Sequence, residues 1–155
     1  MQFYTSYFYN VRFLPPNVIP LSTAKWPPKW WKRNGKWYID KRGVINGLEI
    51  PQFAPGRSCD NLCSGRENCG RPDGPASCGF LRAYRRQLDA LDFEDIMKRF
   101  SNLAERIFND FGIDGEPIFV LLVHEAPDNP CSERIVIQEW FEAHGISCKE
   151  YKNIV

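Results

Sequence analysis

Four side chains with catalytic chemistry lie close together after the longest apolar run of the chain. His124 and Glu125 directly follow the run Ile118–Val123, and Cys131 and Arg134 come a few residues later. Glu125 offers a general base or an acceptor for a hydroxyl, His124 a proton shuttle, and Arg134 a clamp for phosphate or carboxylate. We expect Cys131 at the start of a helix, where the helix dipole lowers the pKa of a thiol and makes it more nucleophilic.

A structural role is the alternative for the same residues. Cys131 would then be a small buried hydrophobe, and Glu125 and Arg134 would form an ion pair. We favour a functional site because His, Glu, Cys and Arg converge on one loop. A site of this kind predicts that Glu125→Gln and Arg134→Ala fold normally but lose ligand binding.

Four cysteines form a second cluster in the segment 57–79, which is rich in Gly and Pro and poor in apolar residues. Such a segment cannot pack a core by itself, and a metal bound by four thiolates would fold it. We predict a structural zinc site, with an iron–sulfur cluster as the alternative and thiols without metal as the third candidate. The proposed ligands are Cys59, Cys63, Cys69 and Cys78.

Four of the five tryptophans lie in a basic, proline-containing stretch, residues 25–42. Aromatic rings interleaved with Lys and Arg can stack bases and neutralise phosphates, as in proteins that bind single-stranded nucleic acid. The alternative, which we favour, is that Trp26-Pro27-Pro28-Lys29-Trp30 plugs a lid-like loop onto the edge of a sheet. The lysines would then form an anion-attracting rim around the same cleft.

The periodicity of apolar residues indicates the elements that hold these groups. Residues 3–8 and 18–22 are β-prone, and the unbroken apolar run 118–123 is typical of a buried parallel strand. Apolar residues at helical spacing predict three helices. The first helix covers residues 80–91, the second begins after its N-cap Asp92 and ends at Gly112, and the third covers residues 132–144. A last strand follows at residues 146–151.

This order predicts an α/β fold, a small Rossmann-like three-layer sandwich with a mostly parallel sheet and a Cys-rich metal-binding insertion at 57–79. We treat residues 1–155 as a single domain, in keeping with the chain length. Ligands of such sheets bind at the carboxyl ends of the strands. The residues expected to bind a ligand there, besides the first cluster, are Ser6, Tyr7, Ser22, Lys25 and Ser132.

The composition is that of a globular protein, with 43% hydrophobic residues and a net charge of +1. The charge is unevenly distributed, since residues 1–50 carry eight Lys/Arg and two Asp/Glu, whereas residues 101–155 carry four and ten. The basic half suits an anionic partner, or the two halves complement each other. Neither a secretory signal nor an apolar run of membrane-spanning length is evident, so we expect a cytoplasmic protein without membrane contact.

Several segments together resemble the domain of unknown function 488 family, in particular its phage and bacterial members. They are Tyr4-Thr5-Ser6-Tyr7-Phe8, Leu14-Pro15-Pro16, residues 18–22, Trp26-Pro27-Pro28-Lys29-Trp30 and residues 120–131. By position, Glu125, Cys131 and Arg134 match the Glu, Cys and Arg of the family. The family has Cys-His-Arg at this helix start, whereas this chain reads Cys131-Ser132-Glu133-Arg134. The resemblance implies the fold and the place of the site, and the Cys-rich segment is an insertion relative to the family.

Together these features predict binding of an anionic small molecule, nucleotide-like or phosphorylated, with catalysis left open. A metal-stabilised module for single-stranded nucleic acid is the second hypothesis. The third is a non-enzymatic phage factor that blocks or sequesters a host component.

Overall fold

The computed structural model describes residues 1–59, 78–112 and 115–153. Six strands and three α-helices lie in these ranges, together with a 3₁₀ helix at Phe8–Phe13 and shorter 3₁₀ turns. The strands are β1 (Gln2–Tyr7), β2 (Val18–Ser22), β3 (Tyr38–Ile39), β4 (Ile45–Asn46), β5 (Ile118–Val123) and β6 (Cys148–Glu150). The helices are α1 (Gly79–Asp89), α2 (Phe93–Phe111) and α3 (Glu133–Ala143).

The main sheet has four strands in the order β2-β5-β1-β6, and every neighbouring pair is parallel. Strand β5 lies in the centre, with Ile118 opposite both Gln2 and Val18. The run of apolar residues in β5 is buried from Phe119 onward, as expected for a strand covered on both faces. The predicted α/β class with a parallel sheet is therefore confirmed, and the arrangement is compatible with a Rossmann-like fold.

The two faces of the sheet are covered by different kinds of structure. Phe119 and Leu121 of β5 pack in the same core cluster as residues of all three helices. The alternate residues, Val120 and Leu122, pack against Phe8, Trp31 and other residues of the chain before residue 45. Among the described residues the second outer layer therefore consists of a 3₁₀ helix and loops, whereas the α-helices share one face.

The helix ends agree with the predicted capping signals. The side chain of Asp92 accepts a hydrogen bond from the Asp95 amide, 2.9 Å away, and Gly112 ends α2 in the left-handed conformation (φ 63°). Ser132 is the N-cap of α3 rather than its first residue. The last strand is shorter than predicted because β6 is an edge strand that pairs only with Phe3–Thr5.

The tryptophan-rich stretch divides into a buried and an exposed part. Trp31 is fully buried, and its indole N–H donates to the carbonyl of Leu48 at 3.1 Å. Trp26, Trp30 and Trp37 are 72%, 46% and 50% exposed. The ring that packs onto the sheet is therefore Trp31, the residue after the predicted Trp26–Trp30 plug, and the rings of Trp26, Trp30 and Trp37 remain at the surface.

Helix α1 holds the residues that lead into the Cys-rich segment. The Tyr84 hydroxyl donates to the carbonyl of Phe53, and the Gln87 amide donates to the carbonyl of Ala54 at 2.7 Å. The Gln87 side-chain oxygen accepts from the amide of Gly56 at 2.8 Å. These contacts tie residues 53–56 to the helix that begins where the segment ends.

No helix within the described ranges has the length and apolar character needed to cross a bilayer.

Candidate functional site

The predicted ligand residues of the first two strands lie at the carboxyl edge of the sheet, but their hydroxyls bind within the protein. Ser6 of β1 and Ser22 of β2 are both paired with Leu122 of β5. Asn10 donates to the Ser6 hydroxyl at 2.9 Å, and the amide of Ala24 donates to the Ser22 hydroxyl at 3.1 Å. Both serines are 1% exposed, so these contacts give them a structural role.

Tyr7 and Lys25 are the more accessible members of the predicted set. Tyr7 is half-buried, and its ring stacks on that of Tyr9 with centroids 5.9 Å apart. Lys25 is exposed and follows β2. Neither residue lines either of the two cavities described below.

Arg134 is buried and organises the loop after β5. Its Nη2 donates to the carbonyl of Glu125 at 2.7 Å and its Nη1 to the carbonyl of Ala126 at 3.1 Å. Its Nε lies 2.7 Å from one carboxylate oxygen of Glu150 and 3.0 Å from the other. All three nitrogens are thus bound to protein oxygens, so the geometry favours a structural role over the expected anion clamp.

The carboxylates around Arg134 differ from the expected ion pair. Glu150, rather than Glu125, is the charged partner of Arg134. Burial raises the pKa of Glu150, and this effect exceeds the lowering by Arg134 and by the Thr5 hydroxyl. Glu125 is 7% exposed, and its carboxylate Oε1 is buried with no hydrogen-bond partner among the described residues.

Cys131 and Ser132 lie just before α3, as the sequence indicated. The amide of Cys131 donates to the Asn129 side chain at 2.9 Å, and the Ser132 hydroxyl accepts from the amide of Arg134 at 3.2 Å. Cys131 is fully buried, which removes its thiol from contact with a substrate in this conformation. Burial first, and then Glu142 and Glu150, raise the pKa of the Cys148 thiol in β6 to about 12.

His124 joins the sheet edge to the tryptophan-rich stretch. Its Nε2 donates to the carbonyl of Trp26 at 2.7 Å, so the ring carries its proton on this nitrogen. The imidazole also packs against the Phe8 ring, with centroids 5.1 Å apart. His124 therefore holds the loop around Trp26 against the 3₁₀ helix.

Two of the four proposed metal ligands can be placed. Cys59 and Cys78 are buried at the two ends of the insertion, and the Cys59 thiol is 3.8 Å from the Gln87 side-chain oxygen. Cys63 and Cys69 lie outside the described residues. The described ranges contain no group of three or more potential metal ligands, and the zinc site stays a prediction.

A cavity of about 580 Å³ lies beside the 3₁₀ helix, on the face of the sheet opposite the α-helices. Its volume falls within the roughly 300–1,000 Å³ typical of small-molecule sites. The lining combines three aromatic rings, four cationic side chains and one carboxylate. These residues are Phe8, Trp30, Tyr38, Arg12, Arg33, Lys41, Arg42 and Asp40, with Val11 and Asn46 completing the wall.

The single carboxylate of this cavity is satisfied within its own turn. Asp40 accepts hydrogen bonds from the amides of Arg42 and Val44 and from the Asn46 side chain, and it pairs with the Arg42 guanidinium at 3.2 Å. Burial by itself raises the pKa of Asp40, but these hydrogen bonds and the Arg42 charge outweigh it and lower the pKa. Arg42 also donates to the carbonyls of Val11 and Leu14, which fixes it to the 3₁₀ helix.

The other three cations of the cavity have no carboxylate partner among the described residues. Arg12 donates to the carbonyl of Tyr9 and lies over its ring at 3.9 Å. Arg33 lies over the Tyr38 ring at 4.0 Å, and Lys41 forms no ion pair within the described ranges. Their charges are therefore available to an anionic ligand.

A two-residue turn places Arg33 at the cavity. Asn34 (φ 51°) and Gly35 (φ 73°) both have positive φ, and Arg33 and Lys36 exchange two backbone hydrogen bonds of 2.9 Å. Asn-Gly is the preferred sequence for such a turn, so this signal was present in the sequence. The cavity itself was missed because its lining comes from segments between Phe8 and Asn46 that no local pattern connects.

No family model, curated protein or solved structure matches this chain. Membership in the domain of unknown function 488 family therefore stays a prediction from the sequence segments quoted above.

Proposed function

We propose that this protein binds a nucleotide-like anionic ligand in the cavity beside the 3₁₀ helix. The proposal rests on three aromatic rings and three cations around one cavity of about 580 Å³, where the cations have no carboxylate partner in the described part of the chain. Aromatic faces accept a planar base, and Arg and Lys accept phosphate oxygens. The ligand class is the one expected from the sequence, but the residues that would bind it differ from those expected.

The arrangement of Arg33 and Tyr38 supports a ligand that carries both a ring and a charge. Stacking on Tyr38 places the Arg33 guanidinium at an aromatic surface, and the Tyr38 hydroxyl is held by the carbonyl of Trp30 at 2.8 Å. The Trp30 ring is in edge contact with both Phe8 and Trp31, and it remains 46% exposed. A base and a phosphate would thus meet groups that their neighbours already position.

The proposal is limited to binding. Cys131 is buried, Arg134 is bonded to carbonyls and to Glu150, and the imidazole of His124 donates to the protein backbone. In the cavity itself, the Asp40 carboxylate is held by the amides of its own turn and by Arg42, so we assign binding and no reaction to it.

Calorimetric titration tests the proposal with adenosine and uridine 5′-diphosphates, and with adenosine and inorganic pyrophosphate as partial ligands. We expect both nucleotides to bind more tightly than either partial ligand. Arg33→Gln should weaken nucleotide binding by about tenfold or more, since a charge-assisted hydrogen bond contributes about 1.5–3 kcal/mol. Lys36→Gln is the matched control, because it removes one exposed charge from the same turn outside the cavity.

A second pair of variants tests the aromatic half of the site. Trp30→Ala should weaken nucleotide binding, whereas Trp37→Ala should not, although both rings have similar exposure. Equal dissociation constants for Arg33→Gln and Lys36→Gln would reject the proposed site. Binding of pyrophosphate as tightly as of the nucleotides would reject the role of the rings.

A further inference from the structure

The 3₁₀ helix presents a row of exposed side chains on its outer side. Phe8 and Val11 are buried, whereas Tyr9 and Phe13 are 53% and 54% exposed. The two exposed rings have centroids 6.1 Å apart, and the Arg12 guanidinium lies over Tyr9. The two rings and the Arg12 guanidinium thus form one aromatic and cationic surface, in which Arg12 has no carboxylate partner among the described residues.

This row connects two clefts. Arg12 lines the cavity described above, and Phe13 lines a second cleft of about 770 Å³ on the other side of the helix. The second cleft is formed by the ends of β1, β5 and β6, and it includes exposed Lys149 and Lys152. The 3₁₀ helix thus forms a ridge with a cationic cleft on each side.

The carboxylates in both clefts are already neutralised within the protein. Asp40 pairs with Arg42 in the first cleft, and Glu150 pairs with Arg134 in the second. The cations without a carboxylate partner in the part of the chain that the structure describes are Arg12, Arg33 and Lys41 in the first cleft and Lys149 and Lys152 in the second. The complementary partner is therefore a chain with several negative charges rather than a single anion.

We propose that the surface formed by the first cleft, the 3₁₀ ridge and the second cleft binds single-stranded nucleic acid, with the nucleotide cavity as one of its subsites. This inference rests on the proposed nucleotide-binding function and extends it to a polymer. Exposed rings stack only on unpaired bases, which favours a single strand over a duplex. The cations on both sides of the ridge neutralise successive phosphates.

Fluorescence anisotropy with labelled, 5′-phosphorylated oligothymidylates of two, four and eight nucleotides tests the length of this surface. Thymidine 5′-monophosphate, measured by calorimetry, gives the affinity of the single subsite. We expect the tetranucleotide to bind at least about tenfold more tightly than the mononucleotide, since each additional stacked base adds affinity. The logarithm of affinity should fall with the logarithm of salt concentration by about 0.7 for each phosphate contacted.

Variants in the second cleft separate this inference from the proposed function. Phe13→Ala and the double variant Lys149→Gln/Lys152→Gln should weaken binding of the tetranucleotide by about fivefold or more and leave the affinity for the mononucleotide unchanged. Lys98→Gln, which removes an exposed charge from α2, is the control and should change neither.

Three results would overturn the inference. Mononucleotide binding without any gain on lengthening would leave the cavity as an isolated site. Equal affinity for duplex and single strand would remove the role of the rings. Binding to vesicles of anionic lipid without binding to oligonucleotides would assign the surface to a membrane. Failure of mononucleotide binding, by contrast, would overturn the proposed function as well.

Discussion

Replacing Arg134 with alanine should destabilise the fold severely while leaving nucleotide binding by the folded protein unchanged. The substitution removes the donors to the Glu125 and Ala126 carbonyls and leaves Glu150 without its ion-pair partner. The Arg134 side chain is 7% exposed and that of Glu150 is 23% exposed, so water replaces these partners only in part. Removing one member of a buried pair costs about 3–5 kcal/mol, and we expect a value in this range.

Urea unfolding followed by tryptophan fluorescence measures this loss. With an m-value of about 2 kcal/mol/M, the midpoint should fall by about 1.5–2.5 M. Arg99→Ala is the control, because Arg99 forms an exposed pair with Asp95 on α2 at 3.0 Å. An exposed pair of this kind contributes only about 0.3–0.5 kcal/mol.

The pH dependence adds an independent check on the role of Glu150. Burial already raises the pKa of Glu150 in the parent, and removing Arg134 takes away an effect that lowers it. The pKa in the folded variant is then further above the unfolded value, so the folded variant binds a proton that the unfolded chain releases. The stability difference between parent and variant should therefore shrink as the pH falls from 7 towards 5. A loss below about 1 kcal/mol at pH 7, or one equal to that of Arg99→Ala, would refute this account of the loop.

Three further predictions concern the turn at Asp40, the buried thiols and the metal. The lowered pKa of Asp40 stabilises the fold above the unfolded value, so the difference in melting temperature between the parent and Asp40→Asn should be full at pH 6 and vanish as the pH falls through the lowered pKa. A difference that persists unchanged to pH 2.5 would contradict this. Iodoacetamide should leave Cys131 and Cys148 unmodified in the native protein and modify both in urea, because both thiols are buried. If peptide mass mapping finds Cys131 labelled in the native protein, Cys131 is again a candidate nucleophile. Elemental analysis should find about one zinc per chain without visible absorbance if the four cysteines bind it, whereas iron and sulfide would indicate a cluster and the absence of all three would reject the metal site.

The main elements were predictable because each depends on a local signal. The apolar run 118–123, the Asp92 cap and Gly112 each act within one or two turns of chain, and the structure confirms their positions. It was less predictable that all three α-helices would lie on one face of the sheet and that loops would cover the other. Residues 8–17 and 23–44 contain Pro15, Pro16, Pro27 and Pro28 and no helical period, so the layer that they form consists of 3₁₀ helices, loops and the short strand β3.

The role of Arg134 illustrates what a sequence pattern does not contain. Its position near a helix start suggested an anion clamp, yet its partners are two carbonyls of the preceding loop and Glu150 of the neighbouring strand. Whether an arginine contacts a ligand or the protein depends on distances set by the packing of β6 beside β1. The cavity was unpredictable for the same reason, because Arg33 and Arg12 meet only after the 3₁₀ helix and the Asn34-Gly35 turn are in place.

The two connections that leave the sheet centre explain why the cavity lies beside the carboxyl edge rather than in it. The chain leaves β1 towards the loop-covered face through the 3₁₀ helix, and it leaves β5 towards the helical face through α3. Diverging connections normally open a crevice between two such strands. Here Arg134 secures the loop on one side, and the bond from His124 to Trp26 secures the other. Phe8 contacts His124 and also lines the cavity. The cavity therefore lies directly beside the contacts that close the crevice at the carboxyl edge.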